Sequence, residues 1–313
     1  MPRILLPLLG LALITPLSIL ASGVGWVSAA AALPPSADTL HHYFGEKKPG
    51  STPIKFSPGI VSTDAGMYGT VVFSPDHSEA VWAMDEHPGL FQSRLENGEW
   101  TDPLEISFLP NHRLSSPFFS ADGRRLFFMA AGGDEAGMDE KERIMVAERG
   151  VAGWMEPHEL DPQLNRSQMH WQFSLDNHGN LYFMGEGAEL FVSAMEAGDY
   201  LDPVLLPPPI NSEAPESSPN ISPNGEMLLF DRWFQTSPYV RIMASFRRPD
   251  GAWSDPVDLS PFIGSEGNDS CARLSPDGQF LFFQSVREGS DPNRSVYWID
   301  AGFLSTLRIE ALR

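Results

Sequence analysis

Short apolar runs recur along the chain at intervals of about fifty residues, each a few positions behind a polar turn. Ala-Val-Trp (80–82) follows Ser-Pro-Asp-His (74–77), and Leu-Phe-Phe (126–128) follows Ser-Ala-Asp-Gly (120–123). Leu-Tyr-Phe (181–183) follows Ser-Leu-Asp-Asn-His-Gly (174–179), and Leu-Leu-Phe (228–230) follows Ser-Pro-Asn-Gly (222–225). Finally, Leu-Phe-Phe (281–283) follows Ser-Pro-Asp-Gly (275–278). Runs of this length between turn residues predict strands covered on both faces rather than half-exposed ones. The turn chemistry agrees. Proline presets φ, Asp or Asn bonds nearby backbone, and glycine accepts a positive φ, so each turn joins two strands of a hairpin. His77 in place of glycine and the extra residue near His178 mark the first and third turns as atypical.

Four of the five units end in an aromatic residue followed by x-x-Pro: WTDPLEI, WMEPHEL, YLDPVLL and WSDPVDL. Proline costs no ladder bond on an outer edge strand, so this piece predicts the outermost strand of each unit. Trp100, Trp154, Tyr200 and Trp253 are accordingly expected to be structural. The fifth unit stops after three strands, whereas TPIKF (52–56) near the start carries Pro53, Ile54 and Phe56 in the register of Pro256, Val257 and Leu259. An early strand that supplies the missing edge closes a ring. The predicted fold is therefore all-β: a five-bladed β-propeller of four-stranded blades, its last blade closed by an N-terminal strand, with a short C-terminal helix after Asp300. Asp300 is the expected helix cap, with Phe303, Leu304, Leu307 and Ile309 as its apolar contacts.

The expected organisation is a signal peptide over 1–32, an extension over 33–49, and a propeller over 50–313. Its repeats lie near 66–108, 114–161, 169–207, 217–260 and 270–304, with the closing strand at 50–60. The signal reading rests on Arg3, the apolar stretch Ile4 to Leu20 and the small residues of VSAAAA, with an uncleaved anchor as the alternative. His41 and His42 read as solvent-exposed.

Composition narrows the function. The 313 residues include 28 Pro and 27 Gly, as many turns require, and the apolar content of 42% suffices for a packed core. A net charge of −20 argues against a nucleic-acid surface. The single Cys271 excludes an internal disulfide and reads as a small buried hydrophobe. No metal spacing occurs among the eight histidines, and the acidic stretch 132–143 lacks the order of a calcium loop, so no metal or cofactor is expected. No Gly-x-Ser-x-Gly elbow is present. The sequons at Asn165, Asn220, Asn268 and Asn293 read as incidental.

The Ser-Pro-Asp-Gly turns followed by Trp-x-x-Pro resemble the TolB-like, WD-repeat-like propellers of exported bacterial proteins, over roughly residues 43–313. The resemblance implies a periplasmic or secreted scaffold that binds a protein or saccharide partner through the channel or one loop face, as a monomer and with no catalytic residue. Residues entering the innermost strands are the natural ligand contacts: Tyr68, Arg113, His170, Glu216 and Asp269. The loops after the second strands add Arg232, Trp233 and Arg287, a type of surface that anchors partners. The alternative is a glycoside hydrolase-like enzyme using channel carboxylates, with Glu216 and Asp269 as candidates. Asp76, Asp122 and Asp277 read as turn formers.

Overall fold

The computed structural model describes residues 42–132, 142–151, 153–161, 164–166, 172–264, 267–287 and 293–313. Among the described residues five antiparallel blades follow one another along the chain, with a separate two-stranded ribbon, Met195–Glu196 and Asp199–Tyr200, beside blade three. Blade one comprises Val72–Phe73, Glu79–Ala83, Leu90–Glu96 and Leu104–Ile106; blade two comprises His112–Phe119, Arg125–Gly132, Arg143–Gly150 and His158–Glu159. Blade three comprises Phe173–Leu175, Leu181–Met184, Leu190–Ser193 and Val204–Leu205, and blade four Glu216–Ile221, Met227–Trp233, Val240–Phe246 and Val257–Asp258. Blade five takes Asn268–Leu274, Phe280–Val286 and Ser295–Asp300 from the end of the chain and Ile54–Lys55 from its beginning.

The closing strand sits in the predicted register. Ile54 pairs with Trp298 as Val257 pairs with Ala244 in blade four. The Phe56 amide donates to Val296 O at 2.8 Å, as the Leu259 amide donates to Ile242 O at 2.9 Å, and both side chains are fully buried. The closing strand is therefore held by main-chain bonds and by the buried ring of Phe56.

The apolar triplets explain how the blades hold together. Successive side chains on a strand point to opposite faces, so each triplet divides between two junctions. Ala80 and Trp82 pack toward blade five, whereas Val81 and Ala83 pack toward blade two. Leu126 and Phe128 then face blade one, and Phe127 faces blade three. The same division runs through blades three, four and five, giving five cores, one per junction.

The aromatic of each x-x-Pro ending joins the core shared with the preceding blade: Trp100 with blade five, Trp154 with blade one, Tyr200 with blade two and Trp253 with blade three. Their structural role is as expected, but their placement differs. Trp100 and Trp154 lie on short hairpin extensions, Glu99–Trp100 and Gly153–Trp154, and the outer strand begins only after the proline. The proline lies between the hairpin extension and the outer strand.

The turns work through their serines. Ser74 Oγ donates to Asp76 Oδ1 at 2.6 Å and accepts the Glu79 amide at 3.0 Å, and Ser275, Asp277 and Phe280 repeat this pattern at 2.6 and 2.9 Å. His77 adopts φ +60°, matching the +69° of Gly278, so the atypical first turn keeps the shape that glycine makes easy.

Around this turn the N-terminal segment departs from expectation. His42 stacks on His77 with ring centroids 4.6 Å apart, and buried Tyr43 donates to Asp277 Oδ1 at 3.1 Å. His41, the signal reading and the acidic stretch 133–141 lie outside the described residues. Asn165 and Asn220 are buried, and the Asn165 carboxamide bonds Ile144, so neither presents a free amide for a glycan.

The helix Gly302–Ala311 rests on the junction of blades four and five through Leu304 and Leu307. Asp300 Oδ1 accepts the Gly302 amide at 2.8 Å, but the residue at the cap position is Ala301, and Ile309 is exposed rather than packed. The helix is a clasp on the outside of the ring. Among the described residues no helix is long and apolar enough to cross a membrane.

Candidate binding site at the propeller channel

Three innermost strands carry a bulge at the same place. The ladder slips between Ser115 and Phe118, between Ser217 and Asn220, and between Ser270 and Arg273. At these slips Ser116, Ser218 and Cys271 adopt φ of +51°, +51° and +58°, values unusual for residues with a Cβ. Bulges re-aim side chains, and all three residues line a cavity of about 160 Å³. In blade one Gly69, at φ +91°, contributes to the same cavity. A Cβ there would lie 2.7 Å from the Gln172 amide nitrogen, so glycine is what lets Gln172 fold across.

Asp231 lines this cavity from the second strand of blade four and is buried. Both of its oxygens accept the Cys271 amide, at 3.1 and 3.0 Å, which ties blade four to the bulge of blade five. Burial pushes the Asp231 carboxyl up to about 7, despite the stabilising Cys271 amide and Ser218, and the charge of Asp269 adds to the rise. Enclosure, followed by the charge of Asp231, pushes the Cys271 thiol up to about 12. Cys271 is thus a partly exposed cavity residue rather than a core hydrophobe.

Beside the cavity, Tyr68 lies under the Arg113 guanidinium, 4.7 Å from ring centroid to Cζ. Asp85 bridges two arginines, at 3.6 Å to Arg113 and 2.7 Å to Arg294. Trp233 is 43% exposed and lines the cavity together with Tyr68 and Arg294. This end combines aromatic surface with cationic groups partly balanced by one carboxylate.

The other residues nominated from sequence are distributed differently. Glu216 is fully buried and pairs with Arg232 Nε at 2.9 Å, while Ser212 Oγ donates to the same oxygen at 2.6 Å. Arg232 also donates to the Pro209 and Ile210 carbonyls, at 3.0 and 2.8 Å. Arg287 donates to Ile263 O at 3.1 Å and lies 4.6 Å over the Tyr297 ring. Asp269 is buried, and its two oxygens have no hydrogen-bond partner among the described residues. His170 lies outside the described residues. Arg113 and Trp233 are therefore brought to one end of the channel, while Glu216 and Arg232 are sealed together away from it.

Sequence reasoning missed Asp231, Gln172 and Arg294. Asp231 follows an apolar triplet directly, where an acid breaks the buried run, and that interruption was the available signal. Among the described residues no group of three His, Cys, Asp or Glu side chains is placed to hold a metal ion.

No family model matches the chain, and no curated protein matches it in sequence. Solved structures do resemble it. A putative TolB from Agrobacterium tumefaciens is 17% identical over 75% of this chain and 77% of its own, with a TM-score of 0.47. TolB from Acinetobacter baumannii is 12% identical over 74% of this chain, with a TM-score of 0.45, and the chain spans only 56% of that protein. Native Bacillus subtilis arabinanase Arb43A is 12% identical over 79% of this chain and 97% of its own, with a TM-score of 0.49. TolB-type propellers are thus among the similar structures, as the turn motifs implied. The likeness concerns architecture, and fold by itself does not set function.

Proposed function

We propose that the protein is an exported, non-catalytic propeller that binds a protein or saccharide partner at the end of the channel formed by Tyr68, Arg113, Trp233 and Arg294. One observation carries this reading: Glu216 is consumed by a buried ion pair with Arg232, so the two carboxylates nominated for hydrolysis do not form a working pair. Glycoside cleavage needs an acid and a second carboxylate flanking one bond. The exposed indole of Trp233 and the guanidinium of Arg113 over Tyr68 instead offer the groups that dominate recognition surfaces. Export draws on the apolar N-terminal stretch behind Arg3.

Carbohydrate hydrolysis is the second reading, and Asp231 favours it. A carboxyl held near 7 at a cavity wall, with Asp269 close enough to influence it, has the protonation of a general acid. The test is an assay of reducing-end release from a panel of oligosaccharides that includes linear arabinan. Turnover that disappears in Asp231→Asn would overturn the binding reading. Absence of turnover, with capture of one identified periplasmic partner lost in the Arg113→Ala/Trp233→Ala double variant and kept in Arg287→Ala, supports it.

A further inference from the structure

The opposite end of the channel holds a larger cavity, of about 520 Å³, which opens among the turns of all five blades. Five apolar side chains line it, Val72, Phe118, Leu175, Ile221 and Leu274, one from each innermost strand, and polar groups at the turns, Arg125, Asn177 and Asn220 among them, complete its rim. Arg273 also lines it and is 3% exposed. From blade five its Nη2 reaches the Phe173 carbonyl of blade three at 3.1 Å, and its Cζ lies 5.2 Å from the Phe118 ring centroid of blade two. The guanidinium therefore crosses the ring axis and forms the floor of this cavity.

That floor carries an uncompensated charge. Among the described residues Arg273 makes no ion pair, and its Nη1 has no hydrogen-bond partner. Burial pulls it down to about 10, which leaves it protonated at neutral pH. A buried guanidinium has five donors and a strong demand for an anion. The two acids on the rim are engaged in their own turns: Asp122 with Ser120 and the Arg124 amide, and Asp176 with the His178 and Asn180 amides.

We propose that this turn-side cavity is a ligand site for a small organic anion with an apolar body, a carboxylate on a hydrocarbon stem, whose head group meets Arg273 while its stem lies against the five-strand wall. A concave enclosure of ligand size, with apolar side chains from all five blades around a buried guanidinium, is the form that small-ligand sites take. A guanidinium is the side chain best suited to grip a carboxylate. The site is separate from the Trp233 end and stands independently of the reading given for it.

The test titrates the intact protein with octanoate, 1-octanol and inorganic phosphate by calorimetry. Octanoate is expected to bind at least tenfold more tightly than either of the others, since only it offers both head and stem. Arg273→Met, checked for folding by circular dichroism, is expected to weaken octanoate at least tenfold and leave 1-octanol unchanged. Trp233→Ala is expected to bind octanoate as the parent does. Equal binding of octanoate and 1-octanol, equal binding of phosphate, or full octanoate affinity in a folded Arg273→Met protein would each overturn the proposal. If Arg273→Met does not fold, the three-probe comparison on the parent protein decides alone.

Discussion

Trp154 in blade two donates its indole N–H to the Glu79 carboxylate of blade one, at 3.0 Å. Arg149, stacked 4.0 Å over the same indole, reaches Glu79 at 2.6 Å, so one nearly buried carboxylate links two blades through two donors. Trp154→Ala should lower stability by about 3 kcal/mol in urea unfolding, through lost packing and the loss of one of the hydrogen bonds to Glu79, which keeps Gln92 and Arg149 as partners. Trp154→Phe should recover part of that loss. Unchanged stability in the alanine variant would remove the indole from the structural set.

Closure by the early strand predicts a global effect from a local change. Phe56→Ala removes a fully buried ring from the junction of blades five and one and should cost about 3–5 kcal/mol. Deleting 50–60 should cost more, since the Phe56 amide bond to Val296 is lost as well. A deletion that melts at the parent temperature would contradict ring closure.

Asp231 makes stability depend on pH in an unusual direction. Its folded pKa, raised to about 7, lies above the ordinary carboxylate value. Between about pH 4 and 7 the native state therefore binds more protons than the unfolded state, and this contribution to stability falls as pH rises across that window. Asp231→Asn, which keeps an acceptor for the Cys271 amide, should remove that fall. Its stability relative to the parent should improve from pH 4 to pH 8, measured by urea unfolding. A constant difference across this range would rule out the raised carboxyl.

Cys271 should be chemically quiet despite lining a cavity. With its thiol pushed up to about 12, almost none is thiolate at pH 8, so iodoacetamide should modify the native protein slowly and the unfolded protein quickly. Mass spectrometry of the two states checks this. Rapid native alkylation would mean an open, activated thiol.

The architecture was legible because it depends on local chemistry repeated in phase. In four of the five turns a serine, an Asp or Asn and a positive-φ position fold the turn locally, and the triplets state that both strand faces are covered. The Glu216–Arg232 pair was also within reach, since the two residues stand opposite each other across the hairpin turned at 222–225. The cavity was harder to foresee. It depends on bulges at Ser116, Ser218 and Cys271, where no glycine announces the positive φ, and on Asp231 reaching a neighbouring blade. Nothing in the sequence around Arg273 sets it apart, because its isolation across the axis is a property of the ring. The Ile309 expectation failed because the helix lies on the outside of a junction and buries only a narrow stripe.

The division of every triplet between two junctions has a thermodynamic consequence. In an open stack of repeats, the outermost units have one neighbour and can fray while the middle persists. Here each blade has two neighbours, and the first and last segments of the propeller share one sheet. There is no end unit from which melting can begin. Loss of any one blade strips apolar cover from both of its neighbours, so calorimetric unfolding should proceed as a single all-or-none event in spite of the repetitive sequence.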